Sequence, residues 1–174
     1  MRPTEVPIGL QLTRAARVVS RAFDEALAEA GGSLPMWLVL LNLKINPQVN
    51  QRELATAVGV REATLTHHLN AMEKDELLTR RRDPNNRRTH IIESSEAGDA
   101  LFLRLREAAM SFDKQLRHDV KKADVEQLAG LLERLADNAG GSEDGPLWAG
   151  LADSHPPAPA KSTRSQPAQA VPKK

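Results

Sequence analysis

The chain has 174 residues, a formal net charge of +1 and no cysteine. This length suits one well-buried domain, alone or with a tail, and the lack of cysteine excludes disulfides, thiolate metal sites and thiol-based redox sensing. No secretory signal is visible in the first nine residues, and the longest apolar run, residues 34–43, is too short to span a membrane. We therefore expect a soluble cytoplasmic protein that does not bind membranes.

The first predicted helix covers residues 8–30. Apolar residues recur at helical spacing over about six turns, and Gly31-Gly32 ends the pattern. Arg14, Arg17 and Arg21 form a stripe along another side of this helix.

A second helix is predicted over residues 35–45. Ser33 or its neighbour is expected to cap it, with Pro35 in the first turn and Asn46-Pro47 after its end. Because this segment is apolar nearly all round, we expect it to lie in the interior.

Two helices joined by a tight turn follow. Asn50 or Gln51 is expected to open a short helix over residues 52–58, Gly59 supplies the turn, and a longer helix runs over residues 61–74. In the longer helix, Leu65, Leu69 and Met72 lie at i, i+4 and i+7 and form an apolar side. The opposite side is short, polar and free of acids, which suits the DNA major groove; its members are Ala63, Thr66, His67 and Asn70.

A β-hairpin is predicted next. Two strand-like runs, residues 77–82 and 87–92, flank the turn Asp83-Pro84-Asn85-Asn86. The hairpin is the most cationic part of the chain, with Arg80, Arg81, Arg82, Arg87 and Arg88. Strand alternation means that Arg80, Arg81 and Arg82 cannot all face the same way. A polar-faced helix followed by an arginine-rich ribbon is typical of a winged helix-turn-helix.

Two more amphipathic helices are predicted after the hairpin. Ser95 is the expected cap of the first, whose apolar stripe continues to Val120, and the last helix covers residues 123–138. Together with the first helix of the chain they need a partner for their apolar sides, and a second copy of the chain is the most economical one.

The predicted fold is mainly α with a small β-hairpin wing. Residues 1–34 form an N-terminal dimerisation helix, residues 35–94 the winged helix-turn-helix domain, and residues 95–139 the C-terminal dimerisation helices. Residues 140–174 are expected to be a largely disordered tail, because from residue 154 onward they hold five prolines, many alanines and four basic residues without any acid.

Over residues 8–138 the chain resembles the MarR family of bacterial transcriptional regulators. The resemblance depends on Gln51-Arg52-Glu53-Leu54-Ala55, on Thr64-Leu65-Thr66, and on Leu77-Leu78-Thr79-Arg80 followed by Asp83-Pro84-Asn85-Asn86-Arg87-Arg88 and Gly98. Three positions depart from the family pattern. Asn86 stands where the family has a wing aspartate, Glu76 where it has a glycine after the recognition helix, and Arg61 where it has a small polar residue.

The resemblance implies a set of DNA-contacting residues. They are Arg61, Thr64, Thr66, His67 and Asn70 in the predicted recognition helix, residues 61–74, and Arg82, Arg87 and Arg88 in the wing. Arg87 and Arg88 are expected in the minor groove. Thr64 could instead pack inward or bond the backbone, and the arginine cluster could be a solvated basic strand. His68 is expected nearer the core, and the two histidines are not expected to bind a metal.

The resemblance also implies a small aromatic or lipophilic effector, bound between the dimerisation helices and the DNA-binding lobe. The candidate lining residues are Arg17, Arg21, Met36, Trp37 and Leu40. The alternative for Trp37 and Leu40 is ordinary core packing, since helical stripes are usually core.

The expected function is that of a sequence-specific DNA-binding transcriptional regulator. It is expected to be a repressor that binds double-stranded DNA at a pseudo-palindromic operator as a homodimer and is released by a small-molecule effector. The alternatives are a winged-helix protein-interaction module and an architectural DNA-binding protein of low specificity. The chain has no paired carboxylates, nucleophile–base pair or phosphate loop that would indicate an enzyme, and no cofactor or metal is expected.

Overall fold

A computed structural model of the protein describes residues 6–47, 49–82 and 90–140. These residues form helices and one two-stranded antiparallel hairpin, which confirms the predicted fold class. The elements are α1 (Ile8–Glu29), α2 (Leu34–Ile45), α3 (Gln51–Val58), α4 (Glu62–Lys74), β1 (Leu78–Arg82), β2 (His90–Ser94), α5 (Glu96–Leu116) and α6 (Lys122–Asn138). Most predicted helix limits agree within one residue, but α5 stops at Leu116, before the predicted stripe reaches Val120.

The core lies where α2, α3, α4, the hairpin and the start of α5 meet. The apolar side predicted for α4 is confirmed, because Leu65 and Leu69 are fully buried and Met72 is 1% exposed. Their buried neighbours include Leu40 and Val39 of α2, Leu54 and Val58 of α3, Ile92 of β2 and Leu105 of α5. The polar side of α4 therefore faces away from this core.

Capping residues and a glycine turn set the limits of α3 in the helix-turn-helix. Asn50 is the cap of α3, where its side chain accepts from the Glu53 N–H and the Glu53 carboxylate accepts from the Asn50 N–H in return. Gly59 ends α3 with φ 73°, a left-handed conformation that glycine adopts without steric cost. In contrast, the predicted cap of α2 is wrong in one respect: Ser33 has the extended N-cap backbone, but its side chain makes no capping hydrogen bond.

The hairpin is extended by a short piece of the chain before α3. Within the hairpin, Leu78 pairs with Ser94 and Arg80 pairs with Ile92. On the other edge of β2, Asn50 forms an isolated bridge with Ile91, and the Ile92 N–H donates to the Val49 carbonyl at 3.4 Å. The hairpin is thus fastened to the start of α3 as well as to the end of α4.

The end of α4 and the start of α5 are joined directly. Ser95 caps α5 as predicted, since its Oγ accepts from the Gly98 N–H at 3.0 Å. The same hydroxyl donates to the Glu76 carbonyl, and the Ser95 N–H donates to the Leu77 carbonyl at 3.1 Å. Gly98 lies so close to this turn that a Cβ there would be 2.0 Å from the Leu77 carbonyl oxygen.

The three helices that flank the winged helix-turn-helix, α1, α5 and α6, expose much of their apolar surface. α1 packs on α5, with the rings of Phe23 and Phe112 stacked at 5.1 Å, and no residue of α6 is buried. Large exposed apolar side chains on these helices include Ile8, Leu10, Val18, Leu103, Met110, Leu116, Leu128, Leu131 and Leu132. Among the described residues, no single helix is long and apolar enough to cross a membrane, although α1 and α2, bent by 74°, pass that test as a pair.

Candidate nucleic-acid interface

The outer side of α4 carries the polar residues singled out in the sequence. Thr64, His67 and Asn70 are all exposed, while Leu65 and Leu69 between them are fully buried. Thr64 does not pack inward, the alternative that the sequence left open. From Ala63 to Asn70 this helix has no acidic residue, so its exposed side presents hydroxyl, imidazole and amide groups without a charge that would repel phosphate.

Thr66 differs from its neighbours because its hydroxyl already has two protein partners. It donates to the Glu62 carbonyl at 2.8 Å and accepts from Gln51 Nε2 at 2.7 Å. The side chain is half-buried between α3 and α4. Thr66 therefore ties the two helices together, and a base contact by Thr66, which stays a prediction, would use its methyl group or the remaining lone pair of its hydroxyl oxygen.

Asn70 is held by a residue of the hairpin. Arg80 Nη2 donates to Asn70 Oδ1, and Arg80 Nε lies 3.3 Å from the Glu73 carboxylate. The Arg80 side chain is only 17% exposed. A guanidinium from β1 thus connects two side chains that lie three residues apart on α4.

The arginines of β1 face different ways, as strand alternation predicts. Arg81 donates to Glu93 Oε1 from Nε at 2.9 Å and from Nη2 at 2.8 Å. These hydrogen bonds outweigh the loss of solvation and, with a further contribution from the Arg81 charge, lower the pKa of Glu93 below its ordinary value. Arg82 is exposed beside His90, its partner across the hairpin.

The remaining predicted DNA contacts divide into two groups. Arg61 stands at the N-cap position of α4, is exposed, and makes no capping hydrogen bond; its contact with phosphate stays a prediction. Arg87 and Arg88, and the departure at Asn86, lie outside the described residues.

The two adjacent histidines do not form part of a metal site among the residues that are described. His67 is exposed and His68 is half-buried, as expected for a residue nearer the core. Their rings meet edge to face at 6.0 Å, and within the described ranges no three histidine or acidic residues are arranged to hold a metal ion.

The candidate effector residues differ in how far their side chains are exposed. Leu40 is fully buried in the core, in line with the core alternative for this residue. Arg17 and Arg21 are exposed on α1, where Arg21 lies 3.3 Å from Glu25 of the next turn. Met36 and Trp37 are half-buried.

Trp37 has an aromatic neighbour that is not among the predicted effector residues. Its ring stacks on Phe102 of α5 at 5.6 Å, nearly parallel, and Lys44 Nζ lies 5.8 Å from the centre of the Phe102 ring. Phe102 belongs to the α5 segment expected to dimerise, but its contact with α2 depends on how the two helices cross, which helical spacing does not indicate.

Gln51, Glu73 and Arg80 were also not among the predicted site residues. A signal for Arg80 was present, since strand alternation places it on the same face as buried Leu78. The pairing of Arg80 with fully buried Ile92 makes this the inner face, towards α4. Gln51 had no comparable signal, because an exposed helix start usually carries polar residues.

Comparison with known proteins matches residues 33–90 to the model of the MarR family. The transcriptional repressor CouR bound to a 23-mer DNA duplex is 29% identical, with a TM-score of 0.69 over 75% of this chain and 92% of that chain. A MarR-family transcriptional regulator from Rhodococcus sp. RHA1 is 25% identical, with a TM-score of 0.64 over 74% of this chain and 91% of its own.

A third similar structure is the PcaV transcriptional regulator from Streptomyces coelicolor in complex with its natural ligand. It is 20% identical, with a TM-score of 0.67 over 78% of this chain and 99% of that chain. At this identity the likeness concerns the fold alone.

Proposed function

From the premise that residues 33–90 form a MarR-family domain within a MarR-type fold, we propose that this protein is a sequence-specific transcriptional regulator that binds an operator as a homodimer. The observation that carries the proposal is the exposed side of α4, which has no acid from Ala63 to Asn70 and turns Thr64, His67 and Asn70 away from the core. Side chains of this kind can bond base edges in the major groove. Arg61, at the N-terminal end of α4, and Arg82, at the end of β1, would contact phosphates.

The homodimer is supported by the exposed apolar surface of the flanking helices. α6 buries none of its side chains, and Leu128, Leu131 and Leu132 are each at least 40% exposed. Three amphipathic helices with open apolar sides are accounted for by pairing with a second copy, which would bury them against each other. Two recognition helices related by a two-fold axis would then read a pseudo-palindromic site.

Repression and release by an effector are the finer part of the proposal. CouR is a repressor whose structure was solved on DNA, and the PcaV structure contains a natural ligand of that protein. We propose that a small aromatic or lipophilic compound binds near Met36 and Trp37, which remain partly accessible between α1, α2 and α5. To release DNA, the compound must have a higher affinity for a dimer geometry that cannot span two half-sites than for the geometry that can.

The test is selection of bound fragments from a random pool of duplex DNA. The expected result is an enriched motif with two inverted half-sites whose centres lie about one helical turn apart or a multiple of it, roughly 34 Å per turn. Such a protein acts by binding rather than by catalysis, in the cytoplasm where it meets chromosomal DNA.

Other outcomes of the selection identify the alternatives. Retention of DNA without an enriched motif would support a low-specificity architectural protein. No retention even at low salt, where phosphate contacts are strongest, would support a protein-interaction module. Either result would overturn the proposal.

A further inference from the structure

We propose that Arg80 is a positioning residue that fixes the side-chain amide of Asn70, so that Asn70 meets DNA as a hydrogen-bond donor and selects against cytosine. This inference rests on the proposed function, because it concerns how the recognition helix reads a base. It is carried by the contacts that connect Arg80 with Asn70 and Glu73.

The position of Arg80 makes this contact a built feature of the fold. Arg80 pairs across the hairpin with Ile92, which is fully buried, and follows Leu78 on the same face of β1. Its guanidinium is therefore directed under α4, where it is 17% exposed. A side chain confined in this way loses little additional freedom when it holds a neighbour.

Glu73 limits the freedom of the guanidinium further. Its carboxylate lies 3.3 Å from Arg80 Nε, and the neighbouring nitrogen of the same guanidinium edge, Nη2, donates to Asn70 Oδ1. Because a guanidinium is planar and rigid, fixing its Nε side also fixes the direction of its Nη2 hydrogens. Arg80 is thus held by Glu73 while it holds Asn70.

The chemistry of the two groups decides which way the Asn70 amide is turned. A guanidinium has hydrogen-bond donors and no acceptor, so only the Oδ1 atom of Asn70 can face it. Nδ2, on the other side of the same planar amide, is then directed away from the hairpin. Asn70 is exposed, and among the described residues its Nδ2 has no hydrogen-bond partner.

A fixed donor discriminates between bases by a simple rule. In the major groove, guanine offers N7 and O6, adenine N7 and thymine O4 as acceptors, whereas cytosine offers only its N4 donor. An amide free to rotate could turn its oxygen towards that donor. With Oδ1 engaged by Arg80, we expect cytosine at the contacted position to reduce affinity by about fivefold or more.

The first experiment changes Asn70 alone, on the exposed surface of α4 where the fold is least affected. Affinities are measured for a panel of duplexes in which each position of the selected half-site is varied in turn. Asn70→Ala should abolish the discrimination at one position only. Asn70→Asp keeps the acceptor for Arg80 but has no donor, so at that same position it should prefer cytosine.

The second experiment tests the role of Arg80 with a charge-matched control. Arg80→Gln should weaken the rejection of cytosine at the Asn70 position by about fivefold. Arg82→Gln removes the same charge from an exposed site of the same strand and should lower affinity equally for all duplexes. In the Asn70→Ala background, Arg80→Gln should cause no further change in base preference, because the two substitutions act through one contact.

The outcomes separate this inference from the proposed function. Suppose that the unaltered protein selects an operator. If Asn70→Asp then keeps the original base preference, or if Arg80→Gln lowers affinity uniformly as Arg82→Gln does, the positioning role of Arg80 is wrong but the proposed function as a regulator still holds. If the unaltered protein shows no base preference at any position, both fail. Should Arg80→Gln not fold, the Asn70→Asp preference alone decides between donor and acceptor.

Discussion

At the scale of single residues, Glu76 shows how the chain tolerates a departure from the MarR pattern. It follows α4 with φ 57°, a left-handed conformation that a side chain disfavours. The turn is otherwise that of a regular helix end, since the Leu77 N–H donates to the Met72 carbonyl at 2.9 Å and the Glu76 N–H to the Glu73 carbonyl at 3.1 Å. The sequence indicated a turn without glycine; the structure adds that it is strained.

We expect Glu76→Gly to raise the free energy of unfolding by about 0.5–1 kcal/mol, because relief of the left-handed strain exceeds the added flexibility of the unfolded chain. Urea unfolding followed by circular dichroism would measure it. Glu76→Ala is the control, because it removes the carboxylate but keeps the strain, and should give no increase. An equal gain in both variants would show that charge, rather than backbone conformation, is the cause.

Gly98 illustrates the opposite case, a glycine required by close approach. A Cβ there would lie 2.0 Å from the Leu77 carbonyl oxygen and 2.8 Å from Ser94 Oγ. Backbone atoms cannot move aside as a flexible side chain can, so α5 would have to separate from the end of α4.

Gly98→Ala should therefore lower the free energy of unfolding by about 2–4 kcal/mol. Gly9→Ala in α1 is the matched control: nothing lies within 4 Å of a Cβ at that position, and alanine there should increase stability by about 0.5–1 kcal/mol. Thermal unfolding of the two variants would be compared. Similar stabilities would contradict the steric explanation.

At the scale of secondary-structure elements, α2 and α5 are joined by an ion pair between Lys44 Nζ and Asp99 Oδ1 at 2.6 Å. Partial burial would raise the pKa of Asp99, but hydrogen bonds from Lys44 and Ser94, aided by the Lys44 charge, outweigh it and lower the pKa below its ordinary value of 3.8. Because the folded state has the lower pKa, the contact stabilises the protein above pH 3.8 and is lost as pH falls through the lowered value.

Asp99→Asn should lower the free energy of unfolding at pH 7 by about 0.5–1 kcal/mol, as is usual for a partly exposed pair. The difference from the unaltered protein should shrink as the pH falls below 4, where the carboxylate becomes protonated in both folded and unfolded states. Urea unfolding between pH 7 and pH 3 would follow this. Asp24→Asn, at an exposed position of α1, should show no such trend, and a constant difference for Asp99→Asn would contradict the assignment.

A feature is predictable from the sequence when it depends on residues that are close together in the chain, and not when it depends on residues far apart. The limits of α4 were predictable, because the spacing of Leu65, Leu69 and Met72 and the signals around it are local in the chain. The contact between Arg80 and Asn70 was not, since it depends on the register of the hairpin and on how β1 crosses α4. The same holds for Trp37 and Phe102, 65 residues apart in the chain, which meet only through helix packing.

At the scale of the whole molecule, the dimer can be tested through α6. Leu128 and Leu132 lie one turn apart and are 52% and 43% exposed. Replacing both with glutamate should give a monomer in sedimentation velocity, with helix content retained, because charges at these positions cannot be buried in an interface. Affinity for the operator should fall by about 100-fold or more, since two half-sites would no longer be bound together.

The control adds the same charge to α6 at exposed positions off this apolar side, with Gln127→Glu and Ala129→Glu. This variant should remain dimeric and keep its operator affinity within a few-fold. A leucine variant that still sediments as a dimer would show that α6 is not the contact between copies.

The joint at Ser95 has a mechanical consequence for such a dimer. Its hydrogen bonds to Glu76 and Leu77 tie the end of α4 to the start of the 21-residue α5, so we expect the two helices to move together. An α-helix of this length is about 32 Å long, so a tilt of roughly 5° about its far end displaces the near end by about 3 Å. This displacement is close to the rise of one base pair. A small rotation between the two copies would therefore move a recognition helix out of register with the base pairs of its half-site.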